Sequence, residues 1–232
     1  GSEMCIRDSS QKVVVNENFV CRIPDSLDFD VAAPLLCAGI TTYSPLANWN
    51  VHEGQNVAVL GLGGLGHMGV QIAVAMGANV TVLSRTTNKE AYAKELGASR
   101  LLATSEPDFF TNHRGEFDFI LNTISAPIDL RGYLGLLKPF GAMVLVGLPP
   151  EGLEISARNL IAGDKALAGS NIGGIAQTQE MLDFCAEHGI GARIEKIGVH
   201  DVDAAYDRVV AGDVRSRFVI DTAGFEDAPL EA

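Results

Sequence analysis

The sequence predicts an α/β fold, a doubly wound parallel sheet covered by helices on both faces. Two observations carry that prediction. From Gln55 onward, short and nearly continuous apolar runs alternate with helical segments, the pattern of buried parallel strands and their crossover helices. The first run ends in a glycine-rich turn that opens straight into a helix, the place where open parallel sheets hold their ligands.

The elements follow in order. Val57-Ala58-Val59-Leu60 is a short buried strand, and the segment from about Leu65 to Met76 is helical until Gly77 stops it. Asn79 to Ser84, rich in β-branched residues, is the second strand. Asn88 to Leu96 reads as a helix, with Glu90 and Lys94 spaced for an i,i+4 ion pair and Gly97 as its stop. Arg100 to Ala103 is a third strand and Phe117 to Thr123 a fourth. A helix from Leu130 to Leu137 leads to a fifth strand, Met143 to Gly147, and Lys165 to Gly169 begins a sixth before a helix from Gln177 to Glu187. The flanks break this alternation. Gln11 to Val20 reads as one valine-rich strand and Arg22 to Pro34 as a connection. Beyond the last helix come a strand near Ile194, a helix from Val202 to Val210 and a strand from Arg217 to Asp221. These flanking pieces read as parts of a second domain that the chain enters and leaves.

Composition narrows the class. With 232 residues, 47% of them hydrophobic, the chain can bury a real core. A formal charge of −12 excludes nucleic acid and anionic membrane as partners, because phosphate-rich surfaces demand an excess of cations. The four cysteines, Cys5, Cys21, Cys37 and Cys185, are widely spaced and form no CxxC, so a reducing, cytoplasmic setting is expected. Val57 to Met76 is apolar enough to suggest a membrane span, but Gly61, Gly63, Gly64, Gly66 and Gly69 interrupt it and suit a strand–turn–helix instead. Residues 1–10 carry neither the basic region nor the apolar core of a signal peptide; starting with Gly1-Ser2, they read as a non-native leader outside the fold.

The chemistry concentrates in Gly61-Leu62-Gly63-Gly64-Leu65-Gly66, a GxGxxG between a strand and a helix. The first glycine makes the tight turn, the second lets the backbone approach a pyrophosphate, and the third packs helix on strand. The helix N-terminus then offers unpaired N–H groups and a favourable dipole to the anion. A packed glycine turn without ligand would not need three glycines at this spacing. The end of the second strand chooses the nucleotide. An NAD site carries an acid there for the ribose 2′-hydroxyl. This chain places Ser84, Arg85, Thr86, Thr87 and Lys89, and the first carboxylate is Glu90. Hydroxyls and two cations suit the 2′-phosphate of NADP, although a solvated loop would also use such residues. The missing acid equally disfavours an S-adenosylmethionine site.

Several stretches then point to one family. Ala33-Pro34-Leu35-Leu36-Cys37-Ala38-Gly39-Ile40-Thr41-Thr42-Tyr43-Ser44-Pro45-Leu46 and the run from Gly61 to Gly69 come first, followed by Leu121-Asn122-Thr123 and Val146-Gly147-Leu148. The run from Gly169 to Cys185 and the closing Val214-Arg215-Ser216-Arg217-Phe218-Val219-Ile220-Asp221 complete the set. From Val13 to Asp221 the chain resembles the medium-chain, zinc-type alcohol dehydrogenases of the cinnamyl alcohol dehydrogenase group. The resemblance implies a nucleotide-binding domain over residues 37–188, with remnants of a GroES-like catalytic domain at residues 11–36 and 189–232. It implies Cys37 as a catalytic zinc ligand, where the residue alone would read as a small buried hydrophobe. Thr41 would touch the cofactor, Gly61 to Gly66 would cradle the pyrophosphate, and Ser84, Arg85 and Lys89 would meet the 2′-phosphate. Thr123, Gly147, Ser170 and Ile172 would line the nicotinamide half. Cys21 and Cys185 match no ligand position and read as core or semi-buried residues. His67 reads as a helix-surface or packing residue rather than a base.

The sequence departs from that family as much as it matches. The first catalytic cysteine, the Gly-His-Glu segment with its histidine ligand, the four-cysteine structural lobe and the start of the proton relay have no counterpart in this chain. None of His52, His67, His113, His188 and His200 has a ligand-like neighbourhood. A catalytic zinc needs three protein ligands and an open position, and the sequence offers one. The expectation is therefore an N-terminally truncated NADP(H)-dependent alcohol dehydrogenase or aldehyde reductase, with a small alcohol or aldehyde as substrate and NADP and zinc as the parent's cofactors. The alternative is a non-catalytic dinucleotide-binding module. A homodimer is expected through Lys165 to Ile175 at the sheet edge.

Overall fold

The computed structural model describes residues 13–213 and 216–223. The leader at residues 1–10 and Val214-Arg215 lie outside the described residues, as do the first two residues of the strand expected from Gln11.

Six strands form one parallel sheet: β1 (Asn56–Leu60), β2 (Asn79–Ser84), β3 (Arg100–Ala103), β4 (Phe117–Asn122), β5 (Leu137–Leu145) and β6 (Ala166–Gly169). Their order is β3-β2-β1-β4-β5-β6, so the chain winds outward from β1 in one direction and then, from β4, in the other. The register sets Val57 beside Val80 on one side and beside Phe119 on the other. Alternate residues feed opposite faces. Val57, Val59, Val80, Val82, Leu121 and Val144 enter one core with Ile40, Met68, Ile72 and Met181. Ala58, Leu60, Leu83, Ile120 and Met143 enter the other with Phe109, Phe117, Leu130 and Leu134. Both faces of the central strands are dry, which is why they read as unbroken apolar runs. The doubly wound parallel fold is the one expected.

Helix α3 (Gly66–Ala75) follows β1, α4 (Glu90–Glu95) follows β2, and α8 (Ile175–Glu187) follows β6. The expected pair forms, with Lys94 Nζ 2.7 Å from Glu90 Oε1. Beyond α8, β7 (Ile194–Ile197), α9 (Val202–Ala211) and β8 (Arg217–Ile220) make a strand–helix–strand unit whose strands pair in a separate two-stranded sheet.

Several expectations need correction. The strand from Gln11 to Val20 does not form among the described residues; a 3-10 turn occupies Glu17–Phe19, capped by Asn16 Oδ1 on the Asn18 N–H. Val13, Val14 and Val15 are at least half exposed, and no described strand pairs with them. The helix expected to reach Leu137 is α6 (Leu130–Gly135). There β5 begins, earlier than Met143, because Leu137 pairs with Phe117 ahead of an irregularity that restores the register at Phe119. Short helices α5 (Phe109–Asn112) and α7 (Arg158–Ile161) were not foreseen. Nor were α1 (Phe29–Ala32) and the buried α2 (Ala38–Asn48), which occupy much of the segment read only as motif. The α2 sequence has little local helix preference, with Ile40-Thr41-Thr42 and an internal Pro45. Packing supplies the difference: α2 lies between α3 and α8, and a Cβ on Gly39 would stand 2.9 Å from Met181 Sδ.

Candidate dinucleotide site

The sheet order reverses between β1 and β4, and Gly61 to Gly66 and Thr123 follow these two strands at their carboxyl ends, with Ser84, Gly147 and Ser170 at the ends of β2, β5 and β6. Gly61 leaves β1 with φ +92°, a left-handed conformation that strains any side chain. Its N–H returns to Leu83 O at 2.9 Å, which fastens the turn to β2. A Cβ on Gly66 would fall 2.1 Å from Gly61 O, so the start of α3 can approach the strand end only as glycine. Around Gly63 a Cβ would meet nothing within 4 Å, so its glycine is not required by packing and leaves bare backbone facing open space. The ten residues of α3 begin here; the His67 N–H turns back to Gly63 O at 3.1 Å and the Met68 and Gly69 N–H groups to Leu65 O at 3.0 Å, so the N–H groups open to a ligand belong to the turn before them. Leu62 is buried, Leu65 half-buried.

Thr123 follows β4 and donates its hydroxyl to Leu60 O at 2.8 Å, closing the cleft between the two central strands. Gly147, after β5, has its N–H on Asn122 O at 3.1 Å, and a Cβ there would collide with Ile124 O. Ser170 donates its N–H to Leu145 O, and Ile172 is 39% exposed beyond β6. Thr41 is buried in α2. Ser84 ends β2 half-buried, and Arg85 and Lys89 follow it exposed. Glu90, the first acid after β2, is engaged by Lys94.

Three side chains complete the turn. Lys89 donates Nζ to Leu62 O at 2.9 Å, laying its charge on the glycine loop. Arg217 of β8 lies over the same loop, its guanidinium 2.7 Å from where a Gly64 Cβ would be. Its Nε is buried without a hydrogen-bond partner among the described residues. An unpaired cationic nitrogen held against a glycine-rich helix start is suited to an anionic oxygen. His67 is fully buried, between Gly63 O at 3.2 Å from Nδ1 and the Arg193 N–H at 3.2 Å from Nε2. These partners require Nδ1 to donate and Nε2 to accept, the neutral ring. Burial pulls its pKa down to about 4; the Gly63 carbonyl opposes that shift, and the Arg217 and Arg193 charges add to it. His67 is thus a packing residue, and no part of it reaches the helix surface. Arg217 was legible only as part of a matching stretch, since nothing in the sequence brings residue 217 to residue 64.

The residues present fit a dinucleotide: a cradle closed to Cβ at Gly66, open at Gly63, and flanked by cations. They do not fit a zinc ion. Cys37 is exposed at the start of α2. Among the described residues no three His, Cys, Asp or Glu side chains come together as a ligand set. Cys21 is half-buried, and burial pushes the Cys185 thiol up to about 12, far from the thiolate that binds metal.

Residues 64–187 match the family described as zinc-binding dehydrogenase. The chain is 58% identical over 212 residues to the probable formaldehyde dehydrogenase AdhA of Bacillus subtilis, covering 91% of this chain and 61% of that protein. To NADP-dependent alcohol dehydrogenase C 1 of Mycolicibacterium smegmatis it is 58% identical over 214 residues, 92% of this chain and 61% of that one. The solved cinnamyl alcohol dehydrogenase of Sorghum bicolor superposes with a TM-score of 0.87 at 45% identity, over 90% of this chain and 60% of that one. The chain spans about three fifths of the length of these relatives. Its strand order, its glycine cradle and a family match over more than half of its residues agree, and the chain belongs to the zinc-binding dehydrogenases.

Proposed function

We propose that this chain is the NADP(H)-binding part of an alcohol dehydrogenase or aldehyde reductase. The observation that carries the reading is the glycine turn with Lys89 and Arg217 laid against it and no unpaired acid at the end of β2. The bound nucleotide would supply or accept a hydride at a primary alcohol or aldehyde carbon. The chain's own residues hold and orient it. The Gly61–Gly66 backbone takes the pyrophosphate, and Arg217 offsets its charge. Ser84 and Arg85, with Lys89, read the 2′-phosphate. Thr41, Thr123, Gly147, Ser170 and Ile172 border the nicotinamide half and shape the wall against which the reacting ring lies. Thr123, Gly147, Ser170 and Ile172 follow β4, β5 and β6, while Thr41 reaches in from α2.

A zinc ion would need ligands beyond Cys37, and the described residues bring no ligand set to it. That same observation favours a second reading for the chain taken alone: a nucleotide-binding and self-associating module without turnover. The exposed edge of β6 would pair two copies about a twofold axis.

Dissociation constants for NADPH and NADH, measured by fluorescence on the chain and on Arg85→Ala/Lys89→Ala, test the assignment. The variant should lose affinity for NADPH by about tenfold or more and for NADH much less. Equal losses for the two cofactors refute the 2′-phosphate reading.

A further inference from the structure

At the opposite end of the sheet from the glycine loop, a groove of about 550 Å³ opens among Arg114, Arg131, Arg158 and Lys165. Its place follows from the topology. Arg114 precedes β4 and Lys165 precedes β6, and in a parallel sheet these amino ends face away from the carboxyl ends that carry the glycines. On a chain of net charge −12, four cations without intervening acids are a local reversal of sign. The Arg114, Arg131 and Arg158 side chains make no ion pair or hydrogen bond among the described residues. Asp129, on the adjoining surface, is committed to the Gly132 N–H at 3.0 Å and caps α6. Lys165 is fixed rather than loose, its Nζ on Leu134 O at 2.6 Å. Burial, and secondarily the Arg114 charge, hold its pKa below the usual lysine range, and Glu154, on the adjoining surface beside Arg131, makes no ion pair with any of the four cations. Ser156 and Asn159 add neutral hydrogen-bonding groups on the same wall.

We propose that this groove is a second ligand site, distinct from the cofactor cleft, that binds the phosphate chain of a small di- or triphosphate. Guanidinium forks match phosphate oxygens two at a time, and several phosphates in a row answer several cations around one groove. A volume of about 550 Å³ lies within the range of small-molecule sites, roughly 300–1,000 Å³. The inference does not depend on the cofactor assignment, because it uses none of the same residues.

The test is calorimetric titration of the full chain with inorganic tripolyphosphate and, separately, with ATP. Both should bind, more weakly as salt is raised, and Arg131→Gln/Arg158→Gln should weaken both by about tenfold or more while leaving NADPH affinity unchanged. These arginines are exposed and unpaired, so thermal melts should match the parent; Arg114→Gln repeats the test from a different segment. Tighter binding of ATP than of tripolyphosphate would identify a nucleotide as the source, and equal binding the phosphate chain alone; either supports the site. Failure of both probes to bind overturns it, including when light scattering shows self-association covering this face. Binding that survives the arginine variants overturns it as well.

Discussion

His67 offers a quantitative test of how the cofactor loop is tied to the returning C-terminal segment. In the unfolded chain its imidazole titrates near 6.5, and in the folded chain near 4. Above the unfolded value both states hold the ring neutral and it contributes no pH dependence. As pH falls through about 6.5 the unfolded chain takes up a proton that the folded chain refuses, so stability declines until about pH 4 and then levels off. The loss attributable to this one ring is about 2 kcal/mol by pH 5 and about 3 kcal/mol at the plateau. His67→Gln removes the titration and keeps an amide able to reach Gly63 O. Urea unfolding of both proteins, near pH 8 and near pH 5, gives the assay. The parent should lose about 2 kcal/mol more than the variant between the two conditions. Carboxylate titrations are common to both and cancel. Parallel losses would mean that the ring is protonated, or solvated, in the folded protein, and the two-sided hydrogen bond would be refuted.

Other outcomes follow from the same geometry. Gly63→Ala should leave the Tm unchanged, since its Cβ meets nothing within 4 Å, yet weaken NADPH binding by blocking close approach; an unaltered Kd would contradict this. Gly66→Ala should lower both, because its Cβ meets the Gly61 carbonyl, and a normal Tm would show that the turn yields. Asp118 accepts from the Asn56 N–H and from Lys138 Nζ, both at 2.8 Å, so Asp118→Ala should cost about 1–3 kcal/mol in denaturant unfolding. Metal analysis of the purified chain should find less than one zinc per molecule and no aldehyde reduction with NADPH above background. One zinc per chain together with turnover would refute the reading of Cys37 as an incomplete site.

What the sequence made legible was set by local signals. The inner strands β1, β2 and β4 were readable because they are dry on both faces, and a glycine or polar break follows almost every strand of the sheet. The dinucleotide turn was readable because three glycines at fixed spacing answer three separate steric demands, two of which the backbone displays directly at Gly61 and Gly66. Helix α2 was not readable, since its conformation is imposed by neighbours on either side rather than by its own threonines and Pro45. The strand expected before Val20 failed for the converse reason: its valines have the right propensity but pair with no described strand and stay exposed. Arg217 and the buried state of His67 were out of reach because both depend on contacts between residues more than a hundred positions apart.

Those distant contacts give the molecule an order of completion. The side chain that overlies the glycine loop comes from β8, about 150 residues further along the chain. At ribosomal rates of about 5–20 residues per second, a nascent chain would carry an open, uncovered loop for roughly 10–30 seconds. The contacts from the far end close in turn, His67 to Arg193 just before β7 and Gly64 to Arg217 only with β8. Nucleotide competence is then a late event in the life of each molecule, and a chain that stops short of β8 would have its sheet but lack the finished pocket.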